Sequence, residues 1–223
     1  MDSSSQRVIV FSHGFGVERD ARGLFTDVAS VFPKAKSVLF DYNIPDRAEN
    51  TLFVRPLSEQ KDILLTEIAT VKEKFPSARI DIVAHSLGSI VVALAQPIGI
   101  RKVTLLAPPF GLRSSSLERF AGRPGSVIDP DGLSRLARRD GSFTLVPAAF
   151  WKERESINPL PLFNSLAEQT ELLIIRAKQD AVVSYADASL LSPKIQIIDI
   201  DGDHDFCFEY RKELLTTLKN LLQ

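Results

Sequence analysis

Arg79-Ile80-Asp81-Ile82-Val83-Ala84-His85-Ser86-Leu87-Gly88-Ser89 is the stretch that decides the fold. Its first half is a short, apolar, β-branched run, the pattern of a strand covered on both faces. From Leu87 to Gln96 the chain is apolar nearly all round and halts before Pro97, which marks a central buried helix. Between the two, Ala84-x-Ser86-x-Gly88 leaves room for one very sharp turn. A strand-to-helix turn of this kind, a nucleophile elbow, holds its serine in a strained backbone conformation and needs small neighbours two residues before and two after. Ala84 and Gly88 meet that need. The turn presents the Ser86 hydroxyl above the sheet and aims the N–H of Leu87 at a developing oxyanion.

The same alternation recurs on both sides of this stretch. Arg7–Ser12, Ser37–Phe40, Lys102–Ala107, Glu171–Ala177 and Lys194–Ile200 also read as buried strands. Helical spacing joins Leu24, Val28 and Phe32, and again Leu64, Ile68, Val71 and Phe75, the latter after Pro56 with Ser58 as the expected N-cap. Leu214, Leu218, Leu221 and Leu222 give a C-terminal amphipathic helix. Strand–helix alternation implies right-handed crossovers and a doubly wound, mostly parallel sheet of about six strands. The expected α/β core is residues 1–110 and 166–223. From Gly111 to about Ser165 the alternation breaks into a stretch rich in proline, glycine and arginine, expected to form a cap over the carboxyl edge of the sheet. Within it, Arg139-Asp140-Gly141-Ser142 carries the Asp-Gly signal of a tight hairpin.

A serine hydroxyl needs a base. The chain has three histidines. His85 precedes the serine in the elbow, where its ring is expected to point away from the hydroxyl, and His13 ends the first strand. That leaves His204, in Gly202-Asp203-His204-Asp205 after the last strand. The orienting carboxylate is expected from Asp180, just past Glu171–Ala177, because strand carboxyl ends share one edge of a parallel sheet. Asp199, Asp201, Asp203 and Asp205 are its rivals. Ser12-His13-Gly14-Phe15-Gly16 brings a second backbone donor, Phe15 N–H, toward the nucleophile, so that Phe15 and Leu87 form the expected oxyanion hole. Phosphate binding is a poor reading of this turn, which lacks dinucleotide-loop spacing and a P-loop lysine.

Asp201, Asp203 and Asp205 alternate as calcium ligands do, but without the later Gly and Glu of an EF-hand loop, so no metal is expected. Cys207 reads as a structural thiol. The 223 residues suit one domain, and a formal net charge of -1 gives no global attraction for nucleic acid or anionic membranes. One cysteine excludes an intrachain disulfide framework. The polar stretch from Met1 to Arg7 lacks a signal-peptide pattern and no apolar run reaches membrane-span length, so a cytoplasmic protein is expected.

His13-Gly14-Phe15, the run Lys36-Ser37-Val38-Leu39-Phe40-Asp41-Tyr42-Asn43, the elbow, Val103-Thr104-Leu105-Leu106-Ala107-Pro108, Asp180-Ala181-Val182-Val183-Ser184 and Asp201-Gly202-Asp203-His204 stand in an order that resembles the small microbial cinnamoyl/feruloyl esterases of the α/β-hydrolase superfamily. The resemblance implies cofactor-free hydrolysis of a small-molecule carboxylic ester, with Ser86 as nucleophile, His204 as base and Asp180 as orienter. Departures are Ala84 and Ser89 where those esterases usually carry glycine, Ile44-Pro45-Asp46-Arg47 in place of a glycine-rich turn, and first antiparallel strands that are expected to be missing. The cap matches poorly. Phe110, Phe143, Phe150 and Trp151 are candidates to wall an acyl pocket or simply to pack the cap, and His13 is a further substrate-binding candidate. Arg135, Arg138 and Arg139 are candidates for an anionic substrate or a solvated face.

The residues thus point to an esterase working through an acyl-enzyme. Thioester, amide or carbon–carbon bond hydrolysis on the same three residues stays open, as does a non-catalytic ligand-binding protein of the same fold. An arginine-rich binding module is disfavoured by the balanced charge. Oligomeric state leaves no mark in the sequence.

Overall fold

A computed structural model describes residues 6–110, 122–183 and 188–222. The first residues of the expected cap, from Gly111, and Ser184 of the quoted motif lie outside the described residues. In chain order the elements are β1 (Arg7–Ser12), α1 (Leu24–Ser30), β2 (Lys36–Leu39), β3 (Ile44–Asp46), β4 (Thr51–Phe53), α2 (Leu57–Lys74), β5 (Arg79–His85), α3 (Leu87–Ala95) and β6 (Lys102–Leu106). There follow β7 (Leu133–Ala137), β8 (Phe143–Pro147), α4 (Ala148–Ser156), α5 (Pro159–Ala167), β9 (Glu171–Ala177), a 3₁₀ turn (Ala188–Leu190), β10 (Gln196–Ile200) and α6 (Glu209–Leu221).

Alternate residues divide the strands between two cores. Val8 and Val10 of β1 face one cluster and Ile9 and Phe11 the other, and Leu172 and Ile174 of β9 oppose Leu173 and Ile175 in the same way. Successive side chains of a strand point to opposite faces, so a run that is apolar throughout has to be covered twice. Six strands form one sheet in the order β10-β9-β6-β5-β1-β2, every neighbouring pair parallel. The four inner ones are the buried runs, whereas β2 and β10, expected to be buried as well, are edge strands and only partly covered. On one face lie α2, through Leu64, Ile68 and Val71, the wholly buried stretch Leu87–Ala93 of α3, and Phe163 and Leu166 of α5. On the other, Leu24, Phe25 and Val28 of α1 meet the face covered by Leu214 and Leu218 of α6. This is the six-stranded parallel α/β architecture expected from the sequence.

One local expectation is corrected. Ser58 does not cap α2: the helix already begins at Leu57, with Pro56 at the cap position and no side-chain cap there. The helix start is met from α4 instead, where the Glu153 carboxylate accepts hydrogen bonds from Ser58 N–H at 3.0 Å and Ser58 Oγ at 2.6 Å. A carboxylate at this end satisfies an orphan N–H and opposes the helix dipole.

A second sheet has the order β3-β4-β8-β7. β7 and β8 are an antiparallel hairpin whose turn, Arg138 to Ser142, contains Gly141 at φ +82°, the positive value that the Asp-Gly signal calls for. β8 pairs in parallel with β4, and β4 antiparallel with β3. The expected cap boundary at residue 111 leaves β3 and β4 on the far side of it, yet they share a sheet with the β7–β8 hairpin. Each is three residues long and β3 contains Pro45, so neither carries a period-2 pattern. Among the described residues no helix is long and apolar enough to cross a membrane.

In the main sheet β1 lies between β2 and β5. The chain therefore leaves β1 toward one side and later returns to the other, which puts a topological switch point, where open α/β sheets bind ligands, at the carboxyl ends of β1 and β5. The loops after β1, β5, β9 and β10 all emerge along that edge.

Candidate active site

Ser86 occupies the turn between β5 and α3 with φ 52° and ψ −125°, a backbone conformation that L-residues rarely adopt. Two neighbours hold it there. Ser86 N–H donates to the carbonyl of Leu106 on β6 at 2.9 Å. Gly88 lets α3 press on the end of β1, because a Cβ at Gly88 would fall 2.2 Å from Ser12 O and 2.6 Å from His13 O. A buried relay braces this contact: Tyr42 donates its hydroxyl to Ser12 Oγ (2.7 Å), and Ser12 donates to the Gly88 carbonyl (3.0 Å).

Asp180 and His204 arrive from the loops after β9 and β10. His204 Nε2 lies 2.8 Å from Ser86 Oγ, and His204 Nδ1 lies 2.7 Å from Asp180 Oδ2. With the proton on Nδ1, the ring donates to the carboxylate and accepts from the serine hydroxyl, a tautomer fixed by the partners. Asp180 Oδ1 accepts the N–H groups of Val182 (2.7 Å) and Val183 (2.8 Å). Burial pushes the Asp180 carboxyl up, but His204 and these two N–H groups outweigh it and hold the group below its ordinary value. The two loops are also tied to each other, since Gln179 N–H donates to Gly202 O (2.9 Å) and Gly202 N–H donates to Gln179 Oε1 (2.6 Å).

The rival aspartates face other partners. Asp199 pairs with Arg176, Asp201 with Lys178, Asp203 accepts Cys207 N–H, and Asp205 pairs with Arg22. Among the described residues, His85, His204 and Asp205 are three ligand-type side chains whose atoms lie within 4.8 Å of one another. Both ring nitrogens of His204 are already engaged by Ser86 and Asp180, so this group is poorly disposed to share a cation. Cys207 is partly buried, and burial together with Asp203 and Asp205 raises its pKa, favouring the thiol over the thiolate.

The His13-Gly14-Phe15 turn rests directly on the elbow, for a Cβ at Gly14 would stand 3.2 Å from Ser86 Cβ. His13 is 1% exposed; its Nδ1 donates to Gly14 O at 3.0 Å and its Nε2 accepts Tyr42 N–H at 2.9 Å. Both nitrogens therefore serve the turn. Leu87 is the first residue of α3, where an N–H has no carbonyl acceptor within the helix. Phe15 packs its ring against Phe150 (5.3 Å between centroids) and Trp151 (6.4 Å). Phe150, Trp151 and Phe110 are themselves closed inside the core; Trp151 Nε1 donates to Ser134 Oγ, and Phe110 meets Phe163 edge-on.

Two contacts near the site have no local signal in the sequence. Arg138, at the tip of the β7–β8 hairpin, donates from Nη1 to Gly16 O at 2.7 Å, while Arg135 stacks on Phe143 and Arg139 is exposed. His85 points away from the hydroxyl as expected, yet its Nε2 meets the backbone carbonyl of His204 at 2.8 Å.

No family model matches the sequence, and no curated protein does. Solved structures do match. Est1E from Butyrivibrio proteoclasticus, in its form with ferulic acid bound, superposes with a TM-score of 0.71 at 16% identity, covering 99% of this chain and 90% of its own. The esterase Pf2001 of Pyrococcus furiosus gives 0.68 at 16% identity, with coverage of 99% and 82%. The alpha/beta hydrolase GrgF from Penicillium sp. sh18 gives 0.70 at 16%, with 99% and 90%. The chain has the α/β-hydrolase fold. In the α/β-hydrolase frame Ser86 follows the central strand β5, and Asp180 and His204 follow β9 and β10 in the chain order Ser, Asp, His.

Proposed function

We propose that the protein is a serine hydrolase that cleaves small-molecule carboxylic esters through an acyl-enzyme, with Ser86, His204 and Asp180 as its triad. The observation that carries the reading is the continuous relay from Asp180 Oδ2 to His204 Nδ1 at 2.7 Å and from His204 Nε2 to Ser86 Oγ at 2.8 Å. In the proposed reaction Ser86 Oγ attacks the ester carbonyl as His204 Nε2 takes its proton, and Asp180 steadies the imidazolium. The N–H groups of Leu87 and Phe15 receive the oxyanion, each donor lowering the barrier by about 2.7–4 kcal/mol. His204 then protonates the departing alcohol and deprotonates the water that releases the acid.

Est1E has been solved with ferulic acid bound, which makes hydroxycinnamate esters the first acyl class to try beside short-chain esters. Turnover of p-nitrophenyl acetate and butyrate and of methyl ferulate is measured for the wild type and Ser86→Ala, together with labelling by a fluorophosphonate probe. The reading predicts ester turnover and labelling at Ser86, both lost in Ser86→Ala. Turnover that persists in Ser86→Ala overturns it.

A further inference from the structure

His85 takes no part in the reaction proposed above, yet it lies directly behind the reacting pair with a side chain only 5% exposed. It ends β5 and immediately precedes Ser86. Its Nε2 is 2.8 Å from the carbonyl oxygen of His204, and a carbonyl can only accept, so Nε2 carries the proton and donates it. Nδ1 lies toward the neighbouring turn: a Cβ on Gly14 would be 3.5 Å from it. The rings of His85 and His204 are 5.1 Å apart between centroids and tilted by 49°. A single imidazole thus joins the elbow that holds the proposed nucleophile to the backbone of the residue that holds the proposed base, and it lies close to the turn that carries Phe15.

That junction bears on the Ser86–His204 distance. β5 and β10 are not neighbours, for β6 and β9 lie between them. No ladder hydrogen bond therefore sets the tip after β5 against the tip after β10. The bond from His85 to the His204 carbonyl spans this gap within one residue of Ser86. The titratable groups around it are His204, Asp180 and Asp205; the Oδ1 of Asp205 is 4.0 Å from His85 Nε2, and its carboxylate also pairs with Arg22. Burial and the nearby His204 favour the neutral ring, which keeps the donor a plain N–H at the pH of an assay.

We propose that His85 is a positioning residue, its Nε2–H to the His204 carbonyl holding the base loop in register with the nucleophile elbow. Its kinetic consequence rests on the hydrolase reading; its geometric consequence does not. A ring that merely fills space would be replaced well by any side chain of similar volume. A positioning donor would be replaced only by one that reaches the same carbonyl.

The test compares His85→Gln, whose amide nitrogen extends to the Nε2 position, with His85→Asn, whose amide stops at the Nδ1 position, and His85→Leu, which has no donor. Three readouts are taken: kcat and KM on p-nitrophenyl acetate, the rate of fluorophosphonate labelling, and the low-field NMR resonance of the His204 Nδ1 proton. The expected result is a kcat lowered about 10–100-fold in the Leu and Asn variants with KM within about twofold, and labelling slowed in parallel. The His204 proton should be shifted or broadened in the same two variants. His85→Gln should restore kcat to within about threefold of the wild type and retain the resonance. Equal behaviour of Gln and Asn in every readout overturns the proposal, and so does a Leu variant within twofold of the wild type. If His85→Leu fails to fold, the Gln–Asn pair decides. If the wild type neither turns over ester nor labels, the hydrolase reading fails while the His204 resonance still decides the positioning role.

Discussion

The carbonyl oxygen of Ser12 sits where a side chain on Gly88 would begin, only 2.2 Å from the Cβ position. The obstacle is backbone on both sides, from β1 and from the first turn of α3, so neither can yield without moving the elbow. Gly88→Ala is therefore expected to cost about 3 kcal/mol, the upper end for overpacking a closed core, and to lower the melting temperature by about 2–4 °C per kcal/mol. Ester turnover should fall with it, because the strained Ser86 backbone depends on the same contact. Thermal unfolding and kinetics of the one variant check both. A melting temperature like the wild type's would mean that the helix has another way to seat.

Asp180→Asn tests the orienting carboxylate without changing its shape. An amide presents either a weaker acceptor or an N–H to His204 Nδ1, and the second choice favours the tautomer unable to take the serine proton. The expected loss in kcat is about 10³–10⁴-fold with a melting temperature within a few degrees of the wild type. A loss below about tenfold would pass the role to another group.

Stability should fall as pH drops from about 6.5 to 4. Burial, then the neighbouring His204, hold the His85 imidazole at about 4 against an ordinary 6.5, and burial also lowers His13. Through that window the unfolded chain binds protons that the folded chain refuses, so folding weakens with each step down. For His85 the loss reaches about 3 kcal/mol by pH 4, because each tenfold drop in proton affinity on folding is worth about 1.4 kcal/mol. Urea midpoints at pH 7 and 4.5 measure it. His85→Gln removes that ring's share and should lose about 2–3 kcal/mol less than the wild type between the two conditions, the remainder coming from His13 among others.

Arg138→Ala separates the β7–β8 hairpin from the turn that carries Phe15, the proposed oxyanion donor. The guanidinium donates to the carbonyl of Gly16, the residue after Phe15, and Thr144 of β8 packs over the same glycine, its Oγ1 3.4 Å from the Cβ position. Losing the bond is expected to cost about 1–2 kcal/mol in unfolding free energy and to reduce kcat/KM about tenfold through a displaced donor. Chemical denaturation paired with kinetics checks this. Lowered stability with an unchanged kcat/KM would restrict Arg138 to holding the hairpin in place.

What the sequence made legible had a local origin. Arg79–Ser89 announces strand, turn and helix through apolar periodicity and two small residues, and the six strands show as short apolar runs, although the two at the sheet's edges, β2 and β10, are less buried than their residues suggest. His204 stands out as the proposed base because only three histidines exist and the other two have positions that suit other roles. Asp180, the proposed orienter, separates from its rivals only by the question of which carboxylate leaves the sheet's carboxyl edge at a distance from the proposed base. Hidden from the sequence were contacts between distant residues. Glu153 serves a helix start 95 positions earlier, so Ser58 looked like the cap by local chemistry. β3 and β4 are too short to show alternation. The bond from His85 to His204 depends on two loops meeting, which no spacing encodes.

The pairing of β4 with β8 has a practical consequence for anyone who wishes to retune the protein. Residues 51–53 and 143–145 are held edge to edge although some ninety positions separate them in the chain. Excising the hairpin alone would leave β4 with bare N–H and C=O groups along one side, an invitation to self-association. A foreign lid is therefore best transplanted as two pieces, the stretch around 44–53 travelling with the stretch around 133–147, so that the donor's own stitching comes with it.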